Sequence, residues 1–246
     1  QAKEISPYRY VGVNFNSQGN PNLKPSDHYN LDLKWDFNPT PTELISLTAF
    51  YKLIKNPISR IEVASAGGYL SYENIADKAT VAGVEVEIRK NLFVRPVSNA
   101  AHGMNKLSLG LNGSYIYTNA KMPLATVTTG SQLEGAAPWI VNFDLSHNFT
   151  KGERSFVNTL VLNYVSDKIY TIGTQGYQDI MEQGVLTLDF VSQAKLNKHL
   201  SFNLKARNLL NSSYKLSRKA NENGEKVILN DYKKGINISL GVSCTF

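Results

Sequence analysis

Apolar and polar residues alternate with a period of two over much of this chain, the signature of β-strands whose two faces differ. The last segment shows it most clearly: Ile236, Ile238, Leu240, Val242, Cys244 and Phe246 share one face, and Gly235, Asn237, Ser239, Gly241, Ser243 and Thr245 the other. Near the start, Tyr29, Leu31, Leu33, Trp35 and Phe37 oppose Asn30, Asp32, Lys34 and Asp36. The middle repeats the pattern over 80–90, 107–117, 139–146, 186–190 and 200–207, and the runs 44–54 and 156–165 are rich in β-formers. The pattern predicts about nine strands, or about ten if Tyr8 to Phe15 ends another, and no helical period.

The connections add a second pattern. Tight segments with turn chemistry (38–42, 150–154 and 197–199) alternate with long ones (55–79, 119–137, 167–184 and 210–233). The exception is Asn91 to Asn105, which is longer and contains Pro96. Short turns at one end of a sheet and long polar loops at the other are the layout of an up-and-down outer-membrane barrel. In that layout the last strand runs downward, and Phe246 ends at the periplasmic rim.

A β-sandwich also alternates, with its apolar face turned inward. Three features favour a barrel wall. The runs reach about 9–13 residues, against about 5–6 for a globular strand. Charges stand in mid-strand at Asp32, Lys34, Glu85, Glu87 and Arg89, where solvent must reach them. Aromatics gather near strand ends (Tyr29, Trp35, Phe37, Tyr51, Tyr115, Tyr117, Trp139, Phe149, Tyr164 and Tyr170), as interfacial girdles require.

Composition changes this picture little. A hydrophobic fraction of 42% in 246 residues suits a sheet with one wet face. No window reaches the 18 or so apolar residues of a membrane helix, which leaves barrel strands of about 9–11 residues open. The formal charge of +6 raises nucleic acid or anionic lipid as a partner. The densest basic run, Lys215-Leu216-Ser217-Arg218-Lys219, reads as a solvated loop, so no nucleic-acid partner is expected. The single Cys244 rules out an intrachain disulfide and a multi-cysteine zinc site.

No catalytic constellation emerges. His28, His102, His147 and His199 are scattered without metal-ligand spacing, with His147 suited to an interfacial ring and His199 to a tight turn. Gly67-Gly68 reads as a turn in a long loop. The carboxylates Asp32, Asp36, Glu85, Glu87 and Asp144 invite an acid–base pair, but lie where a polar strand face meets water or an enclosed domain. Loop tyrosines Tyr69, Tyr72, Tyr170 and Tyr177 could stack on sugars or hydrophobic ligands. The expectation is therefore no catalytic, cofactor or metal site, with substrate contacts unassigned.

Several segments resemble TonB-dependent outer-membrane receptors, especially those of Bacteroidetes-like bacteria. They are Lys3-Glu4-Ile5-Ser6-Pro7-Tyr8, Gly19-Asn20-Pro21-Asn22-Leu23-Lys24-Pro25 (with Ser26 where the family has an acid), and Thr48 to Lys52 followed by Lys55-Asn56-Pro57-Ile58. Asn74 to Glu85, Ala206 to Asn211 and the terminal Phe246 complete the set, in the family's order. The resemblance implies that 1–246 is the C-terminal part of an antiparallel, all-β transmembrane barrel. Family members carry about 22 strands and a plug domain, so the plug and the N-terminal strands would lie outside this chain. It implies contact with outer-membrane lipid, energy delivered by the TonB complex through that plug, and import of a siderophore, cobalamin or oligosaccharide, without enzyme activity. The alternatives are a stand-alone barrel of about ten strands acting as an adhesin or surface-binding protein, and a secreted sandwich that binds carbohydrate.

Overall fold

The computed structural model describes residues 2–64, 68–97, 103–122, 132–220 and 224–245. A one-turn helix α1 (Ala2–Ile5) is followed by β1 (Arg9–Tyr10), β2 (Ser17–Gln18), β3 (Asp27–Phe37), β4 (Leu44–Lys55), β5 (Ile58–Val63) and β6 (Tyr69–Asn74). Next come β7 (Lys78–Pro96), β8 (Met104–Ala120), β9 (Trp139–Lys151), β10 (Arg154–Val165), β11 (Lys168–Thr171) and β12 (Ile180–Glu182). The chain continues through β13 (Val185–Lys195), β14 (Leu200–Arg207), β15 (Ser213–Lys219), β16 (Lys226–Lys233) and β17 (Asn237–Cys244).

The long alternating segments form one nine-stranded antiparallel sheet, ordered β17-β14-β13-β10-β9-β8-β7-β4-β3. Each strand pairs with the next long strand along the chain, so the sheet is an up-and-down wall. Its register keeps the faces separate. One row of directly opposed residues, for example, runs Leu109, Leu145, Leu160, Phe190 and Ala206 to Ile238 across six strands. A one-residue slip of any strand would send its whole apolar set to the polar face.

The exceptional turn after residue 90 is explained by strand length. β7 and β8 run on to Pro96 and Met104, leaving seven residues between them, closed by the Val97 amide donating to the Gly103 carbonyl at 3.0 Å. A bulge between Asn91 and Phe93 adds Leu92 to β7 and flips its side-chain parity, which is why the alternation is hard to follow there. His102 and Gly67 lie outside the described residues, as does Phe246. The strand before Phe246 ends beside the tight 197–199 turn, with Cys244 opposite Leu200, as a downward last strand requires.

The long loops are themselves folded. They hold two small sheets, β1-β2-β6-β5 and β11-β12-β15-β16, joined by a parallel bridge between Ile61 and Ile172. Here the structure departs from the sequence reading in three places. Tyr8 to Phe15 is not a wall strand; its β1 joins the first loop sheet. The 215–219 run is not a loop but β15, with Leu216 and Ser217 buried, Arg218 paired with Glu62, and Lys215 with Asp231 at 3.5 Å. Tyr170 lies on β11, away from the girdles.

The dry core also sits in this loop layer. Ile61, Ile75, Ala76, Leu133, Ile169 and Ile172 pack with Ala79 and Ala120, at the tops of β7 and β8. The wall's aliphatic residues, by contrast, are mostly uncovered. Leu31, Leu33 and Leu240 are 72%, 75% and 72% exposed, and no second layer covers their face among the described residues. Water-soluble monomers rarely leave apolar patches of more than a few hundred Å² open. A sandwich would have buried this face, so its natural solvent is lipid.

Candidate lipid face, rim and capture surface

The apolar face of the wall is banded. At the long-loop end it carries Tyr51, Tyr115, Tyr117, Trp139 and Tyr164, with the Tyr115 and Trp139 rings 4.6 Å apart. At the short-turn end it carries Trp35, Phe37, Phe93, Phe149, Phe156 and Phe202; the stacked Trp35 and Phe37 rings lie 6.1 Å apart. Trp139 and Phe149 are both on the 13-residue β9. Their ten-residue separation, at about 3.3 Å per residue and a tilt of about 40°, spans about 25 Å of depth, the height of a barrel's apolar band. His147 lies one register row inside the lower aromatics, its Nε2 2.8 Å from Asn105 Oδ1. This is the interfacial place expected from the sequence. Cys244 is exposed on the same face.

The opposite face is polar. Asp32, Asp36, Glu85, Glu87 and Asp144 all stand on it, and none is directly opposite another carboxylate in the register. Asp36 pairs with Lys34 at 3.2 Å and Glu87 with Arg89 at 2.6 Å. An amide ladder runs from Asn112 to Asn142 at 3.3 Å and on to Asn163. Phe50 is an apolar exception, its ring lying over Gly83, which is directly opposite it. A wet, mixed-charge wall of this kind can hold water or a polar domain.

At the short-turn end, Glu43 holds the β7 bulge. Its carboxylate accepts the Asn91 amide at 3.0 Å and the Lys90 Nζ at 3.1 Å. The Asn91 amide first, then Lys90, keep this carboxyl below the usual carboxylate range. His199 closes the neighbouring turn, its Nδ1 2.7 Å from the Thr245 carbonyl.

At the opposite rim, three segments far apart in the chain meet in one asparagine knot. Asn74 accepts the Lys24 amide at 2.8 Å and donates to the Lys24 and Asn56 carbonyls at 3.0 and 2.9 Å. Asn20 donates to the Tyr72 carbonyl at 3.0 Å, and Ser26 to the Asn56 carbonyl at 2.6 Å. The Asn56 amide bonds the Asp77 carbonyl at 2.9 Å, and Asn56 itself takes the left-handed φ of 47° that asparagine tolerates. These are the segments 19–25, 55–58 and 74–85 singled out in the sequence. Their amides replace missing backbone partners and fasten the loop layer onto the tops of β3, β4 and β7. Sequence spacing gave no sign that they would meet.

Above the knot, Arg60 organises a second cluster. Its guanidinium lies 3.9 Å from the Tyr170 ring centre and donates Nε to the Tyr170 carbonyl at 3.0 Å. Glu134 accepts from the Arg60 amide at 2.6 Å and pairs with its guanidinium at 3.0 Å. Burial pushes the Glu134 carboxyl above its ordinary value, against the opposing pull of the Arg60 amide and charge. Tyr10, Phe15, Arg60, Leu70, Tyr72 and Tyr170 line a concavity of about 390 Å³, and burial raises the Tyr72 hydroxyl. Of the four loop tyrosines, Tyr72 and Tyr170 thus share a pocket. Tyr69 and Tyr177 stand elsewhere, under Arg9 at 5.2 Å and Arg218 at 5.4 Å. His28 is exposed at the start of β3, and no group of acidic, histidine or cysteine side chains suited to a metal occurs among the described residues.

A family model described as "TonB dependent receptor-like, beta-barrel" matches residues 2–209, most of the chain. The chain belongs to this family. No curated protein and no solved structure matches it. As a TonB-dependent receptor barrel it is a bacterial outer-membrane protein of a transporter family. The banded face is its lipid surface, the short turns are periplasmic, and the knot and loop sheets are extracellular. The polar face looks into the lumen.

Proposed function

We propose that this chain is the C-terminal part of a larger barrel, and that the whole receptor imports a bulky nutrient with energy delivered by TonB through an enclosed plug. The observation that carries this reading is the parity of the wall. Nine strands leave β3 and β17 at its two edges, and both run downward, toward the short-turn end. Closing β3 onto β17 would make a parallel pair, whereas bacterial barrels of this kind close with an even number of antiparallel strands. An open edge cannot remain in lipid, because its amides and carbonyls would lack partners. Residues 2–26 supply no further wall strand. They fold into α1, β1, β2 and the knot. The missing partners therefore come from other strands of the receptor.

The nutrient is a siderophore, a cobalamin or an oligosaccharide. The aromatic concavity around Tyr72, Tyr170 and Arg60 is the surface best suited to its first contact. Family membership and the polar lumen wall support this reading. The test is uptake by cells with and without the intact receptor, in the presence and absence of an uncoupler, using labelled ferric siderophores, cobalamin and oligosaccharides. Receptor-dependent uptake of one class that stops on uncoupling is the expected result. Loss of surface adhesion on deletion, with no change in uptake of any of the three, would overturn the proposal in favour of a binding barrel.

A further inference from the structure

The last two strands follow one another along the outer edges of the wall and of the second loop sheet. β16 and β17 are separated by only Lys234, Gly235 and Ile236, and Gly235 takes the bend with a φ of 79°. Their inner partners are arranged alike: β14 passes into β15 through Asn208 and Asn211, both at left-handed φ, and Asn208 donates to the Gly235 carbonyl at 2.8 Å. The two hairpin arms thus bend together at the membrane surface and continue outward as one long ribbon. Along this ribbon, 226–244 pairs inward with β14 and β15; no strand pairs with its outer side among the described residues, and the Asn230 side chain donates to Asn14 of the N-terminal segment.

The extracellular half of that edge carries a short apolar run between Lys226 and Asn230. Val227, Ile228 and Leu229 are consecutive and 50%, 47% and 41% exposed. They lie on an edge strand whose outer side has no strand partner among the described residues. An exposed apolar edge of this kind is an aggregation hazard that native proteins cover. Resting on the reading of a larger barrel, we infer that the upward-running strand that closes the barrel on β17 continues past the membrane surface and pairs with β16. β17 must have such a neighbour, because it lies in lipid. Since β16 prolongs the same edge, with a bend of only three residues, an antiparallel neighbour that keeps going meets β16, whose bulge at Leu229 it follows with a one-residue shift of register. That strand is longer than the about 9–11 residues a membrane crossing requires by roughly the length of β16. It buries the Val227–Leu229 run and locks the last extracellular loop to the opposite side of the seam.

The test is residue-resolved amide hydrogen exchange on the intact purified receptor in detergent or bilayer discs. In an antiparallel pair, alternate amides of a strand point to each neighbour. If the inference holds, nearly all amides from 226 to 233 exchange slowly, with the outward set at least about a hundredfold slower than in an unstructured peptide. Slow outward amides in β17 together with fast alternate amides in β16 would overturn the inference and leave the larger barrel standing. Fast outward amides in both strands would overturn the inference and the larger-barrel reading together. Protection of β16 that appears only after a separate protein is added would also overturn it, and would make the edge a partner's docking site.

Discussion

Leu160 is the residue at which the lipid assignment is most exposed to refutation. It stands on β10 four residues above Phe156 and four below Tyr164, so it lies midway between the two aromatic girdles. Its neighbours across the strands are Leu145 and Phe190. At about 3.3 Å per residue and a tilt of about 40°, each girdle is about 10 Å away in depth, which puts Leu160 at the midplane. Leu160→Arg should therefore cost about 2–4 kcal/mol, the penalty for a cation on a barrel's lipid face at that depth. That corresponds to a loss of about 30-fold to about 900-fold in the folding equilibrium. Val161, one residue on, faces the lumen directly between Asp144 and Asp189. There an arginine gains two carboxylate neighbours in water, and Val161→Arg should change stability by less than about 1 kcal/mol. Urea titration of the intact receptor refolded into lipid vesicles measures both. Equal costs for the two variants, or no cost for Leu160→Arg, would refute the assignment of the faces.

Asn74→Ala removes three hydrogen bonds from the rim knot and should loosen the 55–79 segment by about 1–3 kcal/mol, read as faster protease nicking there with the barrel still resistant. A Cβ at Gly83 would stand 2.5 Å from the Tyr115 carbonyl as well as under the Phe50 ring, so Gly83→Ala should cost about 1–3 kcal/mol in a thermal melt. Glu134 titrates higher in the folded loop layer than unfolded, chiefly through burial, so its contribution is full below the ordinary glutamate value and lost as pH rises through the folded one. Glu134→Gln should flatten that slope when loop opening is followed by limited proteolysis between about pH 4 and about pH 7; an unchanged slope would assign it to another group.

The wall was legible in the chain because a barrel strand is specified locally. Lipid on one side and water on the other impose a period of two on each strand, and nine such segments could be placed without knowing their neighbours. The aromatic girdles and the alternation of short and long connections are local too, since depth in the membrane is set by position along a strand. What sequence reading missed lies where local pattern is weak. The strands of the loop layer are two to eight residues long, too short for alternation to stand out, and they are stabilised by contacts between distant segments such as Ile61 with Ile172. The bulge at Leu92 interrupted β7's period and made a long hairpin look like a long turn. The asparagine segments that resemble the family could be read as words but not as a knot, because hydrogen bonds across 50 residues carry no periodic signal. By itself, then, the sequence determined the strands, their faces and their depth in the membrane. Only the tertiary structure decided that the loops fold into a core of their own, that Arg60 gathers Tyr170 and Glu134, and that the wall presents two downward-running edges. Those features arise from pairing between segments, which the free energy of the whole fold selects.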